Sequence, residues 1–199
     1  MPITISLVED YDGLRETLAR FLSEVPGLRC VGAYRTGEEA VRRIPVDRPD
    51  VALVDINLPG MSGIECVAQL KSELPGLHIL MLTMYEQSDL IFNSLQAGAS
   101  GYLLKNTPST ELIQAIEEVH TDGAPISMAV ARKIIGHFKS NGLRDSTSNR
   151  LTLREQQILE QLARGQSNRE IGETLKIGVA TVGADLQCVY EKLHRGCGV

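Results

Sequence analysis

The chain lacks the markers of a membrane or exported protein. No run of 18 apolar residues occurs, and the opening MPITISLVED has neither the basic region nor the cleavage pattern of a signal peptide, so the expected setting is the cytoplasm, without membrane insertion. The four cysteines, Cys30, Cys66, Cys188 and Cys197, include no C-x-x-C pair, which argues against a metal knuckle or a disulfide framework and for reduced thiols. His78, His120, His137 and His194 are equally scattered, which speaks against a histidine metal site or a Ser/His/Asp triad. Internal repeats and low-complexity tracts are absent. Positive charge is scarce where a nucleic-acid domain would show it. Residues 149–199 hold 7 Lys+Arg against 6 Asp+Glu, whereas residues 1–120 hold 9 against 17 and carry the acidity of a chain of net charge −5.

Apolar residues make up 43% of 199 positions, enough to bury the core of one ordinary domain and a small second one. The first 120 residues alternate apolar runs with amphipathic helical patterns. Strands are expected at 3–8, 28–34, 51–55, 77–83 and 101–104, with helices near 11–24, 36–45, 62–73, 86–97 and 108–120. Continuous runs such as VALV and ILML suit strands buried on both faces, so the expected fold is α/β, a doubly wound five-stranded parallel sheet. Thr107 as N-cap and Pro108 in the first turn open the last of these helices.

Residues 121–150 read as a linker carrying one helix, at 127–138; KSNGLRDSTSNR (139–150) is polar and aperiodic, an exposed connection. From Leu151 the pattern is wholly helical, a small all-α domain over 151–199. Thr152-x-x-Glu155 and Ser167-x-x-Glu170 are capping boxes, and Gly165 falls where a helix C-terminus wants a left-handed residue. Helices follow at about 152–163, 167–175 and 179–193, the last with Val182, Leu186, Val189 and Leu193 as a buried stripe. Gly183, Ala184, Gln187, Cys188, Tyr190 and Glu191 then lie nearer the outside.

Open parallel sheets bind ligands at the carboxyl ends of their strands, where strand order reverses. Here those ends carry Glu9-Asp10, Asp55, Thr83 and Lys105. Three converging carboxylates repel one another and call for a divalent cation; Mg²⁺ fits, because it takes hard oxygen ligands and keeps waters beside one or two carboxylates and a phosphate. Phosphoryl transfer needs little beyond positioning and charge stabilisation. Asp55 is the candidate nucleophile, with the Thr83 hydroxyl and the Lys105 ammonium facing the transferred group.

VEDYDGLRETL, VALVDINLPGMSGIE, ILMLTMYEQSD and AGASGYLLKN resemble the signature segments of two-component response-regulator receiver domains, over about residues 1–120. LTLREQQILEQLARGQSNREIGETLKIGVATV resembles the LuxR-type helix-turn-helix of the NarL/FixJ subfamily. The resemblance implies Asp55 as phosphoacceptor, Glu9 and Asp10 as the acidic pair, and the Asn57 backbone carbonyl as the remaining protein ligand of Mg²⁺. It implies Lys105 as the phosphate-pairing lysine, Thr83 as the switch hydroxyl and Tyr102 as the aromatic that swings inward with it. A partner histidine kinase as donor, a phosphorylation-dependent homodimer and a DNA-binding, transcription-regulating output are implied too. The enzyme class implied is none: the chain accepts a phosphoryl group and slowly releases it.

The helix at 179–193 would be the DNA reader. Candidate contacts are Thr181, Gln187 and Lys192, with Ser167, Asn168 and Arg169 at the start of the preceding helix available for a phosphate. The family usually has lysine where this chain has Gly183 and histidine where it has Asp185. Each lost phosphate contact lowers the salt slope by about 0.9, an aspartate adds repulsion, and a glycine inside a helix costs roughly 1 kcal/mol against alanine. Relatives continue past KL into a fourth helix, so KLHRGCGV implies a domain lacking its last helix. Two rival readings follow: a degenerate output domain acting by protein contact, and a Mg²⁺-dependent phosphohydrolase using Asp55 on an outside substrate.

Overall fold

The computed structural model describes residues 1–85, 87–121, 128–141 and 151–195. Five strands, β1 (Ile3–Val8), β2 (Leu28–Tyr34), β3 (Val51–Val54), β4 (His78–Thr83) and β5 (Gly101–Leu104), alternate with α1 (Asp12–Glu24), α2 (Gly37–Asp47), α3 (Gly63–Glu73), α4 (Ser88–Gln96) and α5 (Ser109–His120). All strand pairs are parallel, in the order β2-β1-β3-β4-β5. The chain therefore turns one way from β1 to β2 and the other way to β3. That reversal opens a crevice at the carboxyl ends of β1 and β3.

Both sheet faces are covered, and the two-residue period of the strands sorts their side chains between two cores. Ile5, Leu7, Leu53, Leu80, Leu82 and Leu103 point toward α1 and α5, whose Leu22, Leu112, Ile116 and Val119 close that side. Val8, Val54, Ile79, Met81 and Tyr102 point the other way, toward Ile44 of α2, Val67 and Leu70 of α3, and Ile91 and Leu95 of α4. Every side chain of β3 is buried, as the run VALV requires.

This second core does not stop at α4. It continues through Val130, Ala131 and Ile134 of α6 (Met128–Asn141) into Ile158, Leu159 and Leu162 of α7 (Leu153–Ala163), Ile171 of α8 (Asn168–Leu175) and Val182, Leu186 and Val189 of α9 (Val179–Arg195). The segment read as a linker thus contributes a helix that packs on both α4 and α7. That helix runs to Asn141, beyond the expected 138, because Lys139 to Asn141 extend its last turn. Residues 142–150, the rest of the expected connection, lie outside the described residues.

Local signals explain several helix starts. Thr152 with Glu155 and Ser167 with Glu170 form reciprocal capping boxes, as the spacing predicts, and Ser62 with Glu65 forms a third. Gly165 has φ 91° just past α7, a conformation that costs glycine nothing. Around α5 the expectation is corrected: Pro108 itself is the N-cap and no side chain caps the helix. Among the described residues no helix is long and apolar enough to cross a membrane.

Candidate functional site

Register assembles the first site. Val8 pairs with Val54 across β1 and β3, so the next residues, Glu9 and Asp55, emerge side by side from the sheet edge; Asp55 N–H donates to the Val8 carbonyl at 2.9 Å. Thr83 pairs with Leu104, and Lys105 N–H donates to the Thr83 carbonyl at 2.8 Å. Carboxylate oxygens of Glu9, Asp10 and Asp55 lie within 4.8 Å of one another. They open on a cavity of about 450 Å³ that Asn57, Tyr85 and Lys105 also line.

Read as strand ends alone, the three carboxylates have no protein counter-ion; the structure supplies one. Lys105 Nζ sits 2.6 Å from Glu9 Oε2 and 2.9 Å from Asp55 Oδ2. Burial drives the Glu9 carboxyl above its ordinary range, and Lys105 only partly offsets this. For Lys105 burial works downward, but its hydrogen bonds to Glu9 and Asp55 prevail and hold the ammonium above its usual value. Asp55 Oδ1 additionally accepts from the Ile56 N–H at 2.8 Å. Asp10 is half-buried and Asn57 exposed, so the donor set is three carboxylates around a polar opening, the hard-oxygen environment that suits Mg²⁺.

Thr83 and Tyr102 are connected through one backbone unit. The Thr83 hydroxyl accepts from Tyr85 N–H at 3.3 Å, and the Tyr102 hydroxyl donates to the Tyr85 carbonyl at 2.8 Å. Tyr102 lies fully buried beneath that loop.

Two further residues, to which the sequence reading gave no role, hold this site in shape. Gly63, the first residue of α3, lets the chain pass so close that a Cβ there would lie 1.8 Å from the Asp55 carbonyl oxygen; its N–H donates to the Ile56 carbonyl. Arg15 reaches back from α1 to donate to the Glu9 carbonyl at 2.9 Å and ion-pairs with Asp12. The Asp12–Arg15 spacing is a visible clue to the second contact; nothing local marks the first.

The second site is the helical output region. Val182, Leu186 and Val189 are buried as the stripe predicts. Ala184 and Cys188 are exposed and Gln187 half-exposed, but Gly183 is buried; α9 packs along α4 of the sheet domain. The side chains of Tyr190, Glu191 and Leu193 lie outside the described residues. Thr181 and Ser167 are half-exposed, and Arg169 is open to solvent beside Glu173 at 3.4 Å.

Three sequence expectations change here. Asp185 is no free repelling charge: it is 8% exposed and takes a two-point ion pair from Arg154, with Nε to Oδ2 at 2.6 Å and a second guanidinium nitrogen to Oδ1 at 2.7 Å. Lys192, a candidate DNA contact, turns onto Glu155 at 2.6 and 2.8 Å and is mostly covered. Asn168, expected to meet a phosphate, is 5% exposed and donates to Glu118 of α5 at 3.4 Å, across the two domains.

A sheet edge of this design, built to present one aspartate beside a lysine, defines a receiver, and α8 with α9 supplies the two helices of a helix-turn-helix. Residues 5–117 match the response regulator receiver domain family, and residues 149–195 match the luxR family of bacterial regulatory proteins. The chain belongs to the LuxR-type response regulators of two-component systems, with a receiver and a LuxR-type DNA-binding domain. It is 34% identical to the transcriptional regulatory protein LiaR of Bacillus subtilis, over 96% of this chain and 90% of that one. A crystal structure of a LuxR-family two-component response regulator from Aurantimonas sp. covers 69% of this chain and 98% of its own at TM-score 0.66 and 31% identity. The response regulator ChrA of a heme-sensing two-component system covers 98% of this chain and 96% of its own at TM-score 0.58 and 27% identity. This membership favours DNA binding over a contact-only output. It is also a family of regulators, not turnover enzymes, which sets the phosphohydrolase reading aside.

Proposed function

We propose that Asp55 accepts a phosphoryl group from a partner histidine kinase in the cytoplasm and that this controls DNA binding by the helix-turn-helix, as a phosphorylation-dependent homodimer regulating transcription. The observation that carries the reading is the Lys105 ammonium shared between Glu9 and Asp55 at the switch point. One Asp55 carboxylate oxygen attacks phosphorus while the bond to the donor nitrogen breaks. Glu9, Asp10, Asp55 and the Asn57 carbonyl would hold Mg²⁺, which when bound neutralises charge on the transferred group. Lys105, already at Asp55 Oδ2, moves its second interaction from Glu9 to a phosphoryl oxygen. Attack by water on the same group returns the chain slowly to its starting state.

Transmission follows the hydrogen bonds of the β4–α4 loop. A phosphoryl group adds about −1.5 to −2 charges and draws the Thr83 hydroxyl toward it. Thr83 and Tyr102 both hold Tyr85, three residues before α4, so their movement biases the helix against which α9 packs. A coupling of about 1–3 kcal/mol suffices to release α9 and to expose Asn168 from Glu118. Ser167, Asn168, Arg169, Thr181 and Gln187 then form the DNA-facing set; Lys192 is left out of it because Glu155 holds it.

Incubation with a small phosphodonor and Mg²⁺, followed by intact mass, tests the first half. One added phosphoryl mass, lost in Asp55→Asn, is expected; no addition, or addition that survives the substitution, defeats the reading. Fluorescence anisotropy on promoter DNA tests the second half. Phosphorylation should tighten binding, and absence of binding by the phosphorylated chain at about 50 mM salt defeats it.

A further inference from the structure

The ion pair between Arg154 and Asp185 resembles a phosphate contact with the phosphate replaced. Arg154 stands in the first turn of α7 with its side chain 55% exposed, while the Asp185 side chain beneath it is 11% exposed. One guanidinium N–H donates to Asp185 Oδ1 at 2.7 Å, and Nε lies 2.6 Å from Oδ2, a buried oxygen that accepts no hydrogen bond; a guanidinium has donors that serve a phosphate equally well. Ala180, Ala184 and Cys188 make the exposed face of α9, with Asp185 and its partner guanidinium next to it along the helix. So a cation stands at the flank of the reader helix, already occupied.

We propose that Arg154 is a DNA backbone-phosphate ligand held off by Asp185, which acts as a tethered competitor of the phosphate and thereby sets the affinity and salt dependence of the output domain. The proposal rests on the DNA-binding reading above. A carboxylate fixed to the same domain meets the guanidinium at high effective concentration. A phosphate that displaced it would also leave an almost buried carboxylate unpaired and beside a second negative charge. In the unaltered chain Arg154 therefore releases no counter-ion on DNA binding.

Four proteins, each the whole chain, decide the matter: the unaltered sequence, Asp185→Asn, Arg154→Gln and the double substitution. Each is phosphorylated with a small phosphodonor and Mg²⁺ and titrated onto a labelled mixed-sequence DNA duplex across a range of salt. Asp185→Asn is expected to steepen the plot of log affinity against log salt by about 0.9, so that affinity lost between about 50 and 200 mM salt grows about threefold. Arg154→Gln alone should leave the slope unchanged, and in the Asp185→Asn background it should remove the whole gain. Circular dichroism checks folding, and Asp185→Ser replaces Asp185→Asn if the amide is not tolerated.

A gain that persists without Arg154 would mean that Asp185 merely repels DNA, and it overturns the proposal. Flattening by Arg154→Gln alone would mean that the arginine already grips phosphate, which overturns it equally. An unaltered slope in Asp185→Asn, while the unaltered chain binds, sinks the competitor and leaves the DNA-binding reading standing. Failure of all four proteins to bind the duplex removes both.

Discussion

Lysine meets carboxylate in both halves of the chain, to opposite ends. At the sheet edge Lys105 is shared between Glu9 and Asp55 beside a third carboxylate, Asp10, so acid outnumbers base and the cluster faces an open cavity. Between α7 and α9 the charges match: Arg154 with Asp185, Lys192 with Glu155, each cation with its own anion. A surplus of negative charge around an opening recruits cations, whereas a matched pair leaves no charge in excess and holds two helices together. The same interaction thus makes a site in the receiver and closes one in the output domain.

The largest expected effect tests the closed side. Lys192→Met leaves Glu155, with a side chain 5% exposed, without its cation, and should cost about 3–5 kcal/mol in denaturant unfolding. Mg²⁺ should not restore any of it. A loss below about 1 kcal/mol, the range of surface pairs, would show that the seam is not held by this contact.

Next comes Gly63→Ala, whose new methyl would lie 1.8 Å from the Asp55 carbonyl oxygen. Backbone must shift, so stability should fall by about 3 kcal/mol and phosphorylation of Asp55 with it. An unchanged melting curve with normal phosphoryl uptake would refute the close approach. Lys105→Met gives the matching experiment at the open side. Removing the ammonium leaves Glu9 and Asp55 facing each other, and there Mg²⁺ should compensate, adding about 2.7 kcal/mol at a hundred times its Kd. Equal insensitivity to Mg²⁺ at Lys105 and Lys192 would erase the contrast between the halves.

The smallest effect lies where the halves meet. Glu118, bonded to Asn168 and to Gln114, has its carboxyl raised above 4.5, chiefly by burial and against the help of Gln114. The folded chain therefore keeps this proton to higher pH than the unfolded one, so stability falls as pH rises through the window above 4.5. Glu118→Gln should flatten that decline in thermal melts taken from about pH 4.5 toward neutrality. A decline of unchanged steepness would assign it to another group.

Much of the receiver was legible because its rules are local. VALV can only be a strand covered on both faces, and with Glu9 and Asp55 each following such a run, parallel register brings them together. The output domain was legible in its own core, Val182, Leu186 and Val189, and in its two capping boxes. Its polar partners were not. Arg154 and Asp185 are 31 residues apart, Glu155 and Lys192 37, Asn168 and Glu118 50, and helical periodicity says which face of a helix turns inward without saying what covers the other. Gly183 is the clearest case. Placed on the outer side by the period of its own helix, it is buried in the folded chain.

By itself the sequence determined the strands and helices, the two-faced sheet and the carboxylates at its edge, since these depend on side chains a few residues apart and on the two-residue and 3.6-residue periods of the backbone. Only the tertiary structure decided which charges stay open to a ligand. Whether a lysine is a free cation or half of an ion pair depends on a residue that any length of chain can separate from it, and only packing brings the two within reach.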